Sequence, residues 1–235
     1  MKILLGLILC LTFQAIFLES SFALVDSNVR EFLENRVNQW PEVYLPNFKL
    51  SDTSKDLIYP KWFEGSWLVT SQDIINDSEE PVIYKVNFFK NDSDLIVGNR
   101  AKNSESIGKA IFGDTLIKVV NDPKSINNQI TYLKDDFYID SRITGRNQIK
   151  DDDIFFADEL VIQTAHKPGA SRISQVETIS KFQKCPEEIP EVNNSNKLPI
   201  CGVQYVASYG SKVGDPSIHA IKTNKYKLTF EFIES

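Results

Sequence analysis

The chain reads as an all-β protein, mainly antiparallel, in the form of a closed up-and-down barrel of about 8–10 strands preceded by a helix. Three observations lead there. Ten segments rich in Val, Ile, Thr, Tyr and Phe follow one another between residues 65 and 233, separated by short turn signals. Several alternate in period two, the spacing of a sheet with one buried face. Helical spacing is confined to two stretches, too few to cover both faces of a parallel sheet. A meander of that size has to hide its edges, and closure is the economical way.

In chain order, residues 1–23 read as a secretory leader. Lys2 supplies the positive start, Ile3–Phe13 are continuously apolar, and Ala15–Leu18 extend the run past Gln14. Ser21-Phe22-Ala23 places small residues at −3 and −1, which predicts cleavage after Ala23. The run is short of the roughly 20 residues that span a bilayer. Leu9 before Cys10 does not fit a lipoprotein signal. The expected domains are therefore the leader, an N-terminal helix and connector over 24–60, and a barrel over 61–235.

Residues 25–40 have helical spacing, with Val29, Phe32, Leu33, Val37 and Trp40 on one stripe. Asp26 or Ser27 caps the start and Pro41 ends the helix. An extended connector with Pro41, Pro46 and Pro60 follows over 41–62. The helix is expected to pack against the barrel or across one mouth.

The strand segments are 65–74, 81–90, 94–99, 114–120, 127–134, 136–144, 154–166, 171–184, 201–210 and 225–233. The turn signals include Asn76-Asp77-Ser78, Asn91-Asp92-Ser93, Asn121-Asp122-Pro123, Gly145-Arg146-Asn147 and Lys167-Pro168-Gly169. Alternation puts Phe137, Ile139, Ser141 and Ile143 on one face and Tyr138, Asp140, Arg142 and Thr144 on the other. The segment 101–113 is the one short helix expected among the strands. With the leader removed, Cys185 and Cys201 remain, an even pair that in an exported chain predicts a disulfide. Closing that loop contributes about 3 kcal/mol.

Composition narrows the function. Lys plus Arg number 26 against 32 Asp plus Glu, a net charge of −6, which argues against nucleic-acid binding and a polybasic membrane surface. Two His and three Cys are too few for an ordinary zinc site. His166 and His219 have loop-like surroundings and no G-x-S-x-G elbow accompanies them. Asp158 and Glu159 are adjacent, so on a strand they face opposite sides and cannot both line one pocket. Asp151-Asp152-Asp153 lacks the pattern of a calcium loop, and no Gly-rich phosphate loop appears. No catalytic set, metal or cofactor is read from the sequence.

Tyr59-Pro60-Lys61-Trp62-Phe63-Glu64-Gly65-Ser66-Trp67 carries F-x-G-x-W at the start of the first long strand. In this it resembles the lipocalin and fatty-acid-binding (calycin) superfamily. The resemblance implies structural roles: Gly65 makes the bend into the barrel and Trp67 packs across its closed end. Over nearly all of the mature chain the sequence is similar to DUF6816, an uncharacterised family of cyanobacteria and plastid-bearing organisms. The matching segments are Tyr59–Trp67, Gly98-Asn99-Arg100, Asp158-Glu159-Leu160 with Gln163, Val176-Glu177-Thr178, and Tyr226 with Leu228. Where that family commonly has an Arg after the D-E-L-x-x-Q strand, this chain has Thr164-Ala165-His166. The resemblance implies a habitat, thylakoid lumen or periplasm, and no particular activity.

A barrel interior mixes apolar walls with a few polar groups that orient a ligand. The candidates for ligand contact are Trp67, Arg100, Tyr138, Arg142, Glu159 and Gln163. Three functions stay open: an exported carrier of a small apolar ligand such as a lipid, pigment or isoprenoid; a non-catalytic assembly factor for a photosynthetic membrane complex; and an enzyme acting on a lipid or pigment. A sizeable cavity favours the first, and a barrel filled by aromatic rings favours the second.

Overall fold

The computed structural model describes residues 27–48, 55–76, 80–150, 153–186, 197–211 and 218–233. The leader over 1–23, Asp26, Asp151, Asp152 and Gly214–Ser217 lie outside the described residues. Helix α1 (27–38) is followed by the strands β1 (Ile58–Tyr59), β2 (Gly65–Asp73), β3 (Val82–Lys90) and β4 (Ile96–Gly98). Helix α2 (Arg100–Phe112) leads into β5 (Leu116–Asp122), β6 (Ser125–Leu133), β7 (Tyr138–Lys150), β8 (Ile154–Lys167), β9 (Ala170–Lys184), β10 (Ile200–Tyr209) and β11 (Lys222–Ile233).

All eleven strands form one antiparallel sheet in the order β1-β4-β3-β2-β11-β10-β9-β8-β7-β6-β5. From β5 to β11 every strand pairs with the next, and β11 returns to β2, with Phe232 opposite Trp67. This is the curled, up-and-down architecture that the alternating segments predict. The ring of hydrogen bonds stops short of closure, because β1 and β5 are the two edges of the sheet.

The gap is spanned by other means. The chain crosses it as α2, whose side chains serve the free edge of β3. The Asn87 N–H donates to Asn103 Oδ1 at 2.8 Å, and Asn103 Nδ2 donates to the Asn87 carbonyl at 3.0 Å. The Lys85 N–H donates to Ser106 Oγ. Side-chain amides thus take the place of the missing neighbour strand, which is how an exposed edge is blunted. On the other side Gly108 lies against Leu116 of β5, and Ser104 donates to Gln129 of β6. Near the connector, Gln148 of β7 brackets Ile58, accepting from its N–H at 3.1 Å and donating to its carbonyl at 3.4 Å.

Helix α1 packs on the outer face of the sheet, not across a mouth. Its stripe of Val29, Phe32, Leu33, Val37 and the following Trp40 meets Ile149, Phe156, Ile179 and Tyr205. The connector continues along that face as Tyr44 bridges His219, and Val43 and Leu45 bury against Leu160, Ala207 and Tyr209. Consecutive residues of β8 therefore part ways: Phe156, Asp158 and Leu160 face the helix side, while Phe155, Ala157 and Glu159 face the interior.

Two local expectations are corrected. Gly145-Arg146-Asn147 is not a turn, because β7 runs through it to Lys150. A register shift between Ile143 and Gly145 bulges the strand there, and the ring of Phe48 occupies the space a Cβ on Gly145 would need, 2.4 Å away. The segment 41–62 also contains a short strand, β1, paired to β4 through Ile58 and Tyr59. The other turn signals work as read where they are described. Asn91 Oδ1 accepts from Ser93 and Leu95, Asp122 Oδ1 from Lys124, and Gly169 adopts φ +78°. Cys185 and Cys201 form a disulfide at the adjoining ends of β9 and β10. Among the described residues no helix is long and apolar enough to cross a membrane.

Candidate functional site

One end of the interior is filled with rings. Phe63 is fully buried, with six ring centroids at 4.5–5.8 Å: Tyr59, Trp62, Phe88, Phe155, Phe182 and Phe230. Trp67 is fully buried as well. Its Nε1 donates to the Phe63 carbonyl at 2.7 Å and its ring meets Phe232 edge-on at 5.3 Å. Gly65 holds the bend before it at φ +116°, where a Cβ would stand 2.6 Å from the Phe232 ring.

Beside this cluster the interior opens into two adjoining chambers. The first, about 190 Å³, is walled by Leu57, Tyr84, Val86, Phe88, Phe155, Ala157, Leu228 and Phe230, with Thr178, Ser180 and Gln204 as polar exceptions. Gln204 donates to Ser180 Oγ, so the two occupy each other. Burial pushes the Tyr84 phenol up to about 12, against a hydrogen bond with Ser71, and it stays neutral at physiological pH. The second chamber, about 230 Å³, is polar and includes Asp56, Gly98, Arg100 and Ser104. Tyr59, Asn103, Ile107 and Glu159 line both.

Arg100, Asp56 and Glu159 line the polar chamber, and Arg146, which does not line it, pairs with Glu159. Arg100, at the start of α2, donates from Nη1 to Asp56 Oδ1 at 2.9 Å, and its Nη2 lies 4.0 Å from Glu159 Oε1. Arg146, at the bulged part of β7, donates to Glu159 Oε1 from Nε at 2.8 Å and from Nη2 at 2.5 Å. Arg146 also reaches Asn127 Oδ1 and the Lys55 carbonyl, which ties β7 to β6 and the connector. Burial works against the charged form of Arg100, but Glu159 and Asp56 outweigh it and raise its pKa above the ordinary value. Burial, followed by the charge of Glu159, raises the Tyr59 phenol too. Arg100 Nε is buried with no hydrogen-bond partner among the described residues.

The sequence-derived candidates divide accordingly. Arg100 and Glu159 come together at the chambers, 59 positions apart in the chain but 4.0 Å apart in space. Trp67 belongs to the ring cluster beside them. Tyr138 stacks on His166 at 4.4 Å and is exposed, Arg142 is exposed on the same face of β7, and Gln163 pairs opposite Ser141 farther along β8; none of the three lines a chamber. His166 also contacts Ser171, and His219 stacks on Tyr44; neither lines a chamber. Asp56, Tyr59, Asn103 and Arg146 were not among the candidates. Asp56 and Tyr59 sat in a proline-rich connector, Asn103 on a short polar helix, and Arg146 in a turn signal.

A second buried polar group lies on the outer face, under α1. Arg36 donates to both oxygens of Glu177, at 2.8 and 2.6 Å, and to the Tyr44 carbonyl at 2.7 Å. The Tyr209 hydroxyl also reaches Glu177. Asp158, fully buried on this face, has no hydrogen-bond partner for either oxygen among the described residues. Burial, and then the charge of Glu177, holds its carboxyl well above the usual range. These groups fasten the N-terminal helix to the sheet and are remote from the chambers, on the opposite face of β8.

Among the described residues no group of three or more His, Cys, Asp or Glu is placed to hold a metal ion. A family model described as a domain of unknown function (DUF6816) matches residues 72–232, a range that contains Arg100, Arg146 and Glu159. Neither a curated protein nor a solved structure matches the chain.

Proposed function

Because the chain belongs to the DUF6816 family, whose description assigns no activity, we propose from its interior that it binds a small, largely apolar molecule with one polar end. The observation that carries this reading is the pair of adjoining chambers, one apolar and one charged, joined at Tyr59, Asn103, Ile107 and Glu159. An apolar wall with a few convergent polar groups is the usual make-up of a small-molecule site. Each chamber is smaller than an ordinary pocket of about 300–1,000 Å³. The occupant is accordingly a short lipid or isoprenoid, or the end of a pigment, with its hydrocarbon part among Val86, Ala157 and Leu228.

Export to an oxidising compartment, periplasm or thylakoid lumen of a cyanobacterium, goes with this reading. The leader read over residues 1–23 and the Cys185–Cys201 disulfide support it. A scaffold role at a photosynthetic membrane complex has an observation of its own: one end of the interior is filled with rings, and Phe89, Ile111, Phe112 and Ile117 are exposed. Native mass spectrometry of the purified protein, incubated with a cyanobacterial membrane lipid and pigment extract, separates the two. A reproducible added mass that is lost on denaturation is expected. Apo-protein alone, at extract levels that load a lipocalin control, would favour the scaffold.

A further inference from the structure

The walls of the polar chamber already balance their charges. In the wall Arg100 faces Asp56 and Glu159, and Arg146, outside the lining, holds Glu159, so that two cations meet two anions with contacts of 2.5–2.9 Å within the pairs. Asp158 belongs to the other face of β8 and its burial disfavours ionisation. The remaining polar groups of the wall are mostly engaged. Asn103 is held by both backbone groups of Asn87, and Ser104 donates to Gln129. What stays without a hydrogen bond on Arg100 is the buried Nε–H and the Nη2 group, the latter 4.0 Å from Glu159 Oε1, beside a neutral phenol, Tyr59.

Resting on the binding role proposed above, we propose that the polar end of the ligand is a neutral oxygen, an alcohol or a carbonyl, received by the Arg100 guanidinium at Nη2. A carboxylate or phosphate end is rejected. A neutral acceptor takes a free guanidinium N–H and leaves both ion pairs intact. An anion would enter a half-buried chamber in which each guanidinium already has its carboxylate. It would have to displace Asp56 or Glu159, leaving that group near a like charge. The apolar chamber then takes the hydrocarbon portion, through the opening at Tyr59 and Ile107.

The test is calorimetric titration of the purified protein with four probes of one carbon skeleton: geraniol, geranial, geranate and the hydrocarbon myrcene. Geraniol and geranial should bind at least about tenfold more tightly than geranate and myrcene. Asp56→Asn removes one negative charge while the residue keeps an oxygen for the Leu57 N–H it now receives at 2.7 Å. In that variant geranate should gain at least about tenfold and myrcene should stay unchanged. Arg100→Lys keeps the charge without the guanidinium fork and should bring geraniol to the affinity of myrcene. Asp56→Asn carries the test if the lysine variant does not fold. Geranate binding the unaltered protein as well as geraniol, or geraniol binding no better than myrcene, overturns the proposal while the binding role stands. If myrcene and all three oxygenated probes fail to bind, both readings fall.

Discussion

Replacing Asp158 with asparagine should leave the protein unchanged in stability near pH 4 and make it more stable as the pH rises. Asp158 is fully buried on the face of β8 that meets the helix side, with neither oxygen hydrogen-bonded among the described residues. The charged groups that act on it are Glu177 of β9, Arg36 of α1 and, more weakly, its neighbour Glu159 of β8. Burial and then Glu177 raise its pKa, and Arg36 opposes them without winning. The folded chain therefore keeps a proton that the unfolded chain releases around pH 3.9. Stability is full below that value and falls as the pH climbs toward the folded pKa. While the two states differ by one proton, the slope is about 1.4 kcal/mol per pH unit. Asparagine has nearly the same shape and stays neutral throughout. It should be ahead at pH 6, and the gap should widen with pH for as long as the folded carboxyl keeps its proton. Urea unfolding of both proteins at pH 4, 5, 6 and 7, disulfide intact, measures the difference. A gap that does not change with pH would mean that Asp158 is ionised in the folded state, and the reasoning would be refuted.

Arg36→Met should cost about 3–5 kcal/mol, because it leaves Glu177 buried and without its cation; a loss under about 1 kcal/mol in urea unfolding would show that the pair does not fasten the helix. Gly65→Ala places a Cβ 2.6 Å from the Phe232 ring at φ +116° and should cost about 1–3 kcal/mol, and an unshifted melting curve would contradict that geometry. Changing both Cys185 and Cys201 to Ser removes a cross-link with a sequence separation of 16 and should lower stability by about 3 kcal/mol under oxidising conditions. Equal unfolding midpoints for the two proteins would mean that the link does not constrain the unfolded chain.

The strand content was legible because it rests on local signals. Alternation put Ile143 and Arg142 on opposite faces and separated Asp158 from Glu159, but it did not say which face was the interior, and Arg142, chosen as an interior candidate, is exposed. The helical stripe from Val29 to Trp40 identified the covering helix for the same reason. Closure was not legible. Period two says which face a residue takes and nothing about whether the last strand meets the first. The polar helix α2 concealed its role, since Asn103 and Ser106 look like surface residues until the bare edge of β3 is beside them. The site was half legible. Arg100 and Glu159 could be chosen as charged residues beside strands, whereas the case for Arg146 depends on a bulge that carries β7 through a glycine-containing turn signal. Arg36 was invisible, because its partner Glu177 lies 141 positions away.

The diameter of a fully hydrogen-bonded barrel comes in steps, fixed by strand number and stagger. Here one stave of the cask is a helix. Asn103 and Ile107 project from that stave into both chambers, so the capacity of the interior depends on side chains of α2 and on no added or lost strand. A substitution at Ile107 alone would resize the vessel by single methylene groups. Chains with this architecture can therefore differ in the girth of the interior while every rung of the β-ladder remains in place.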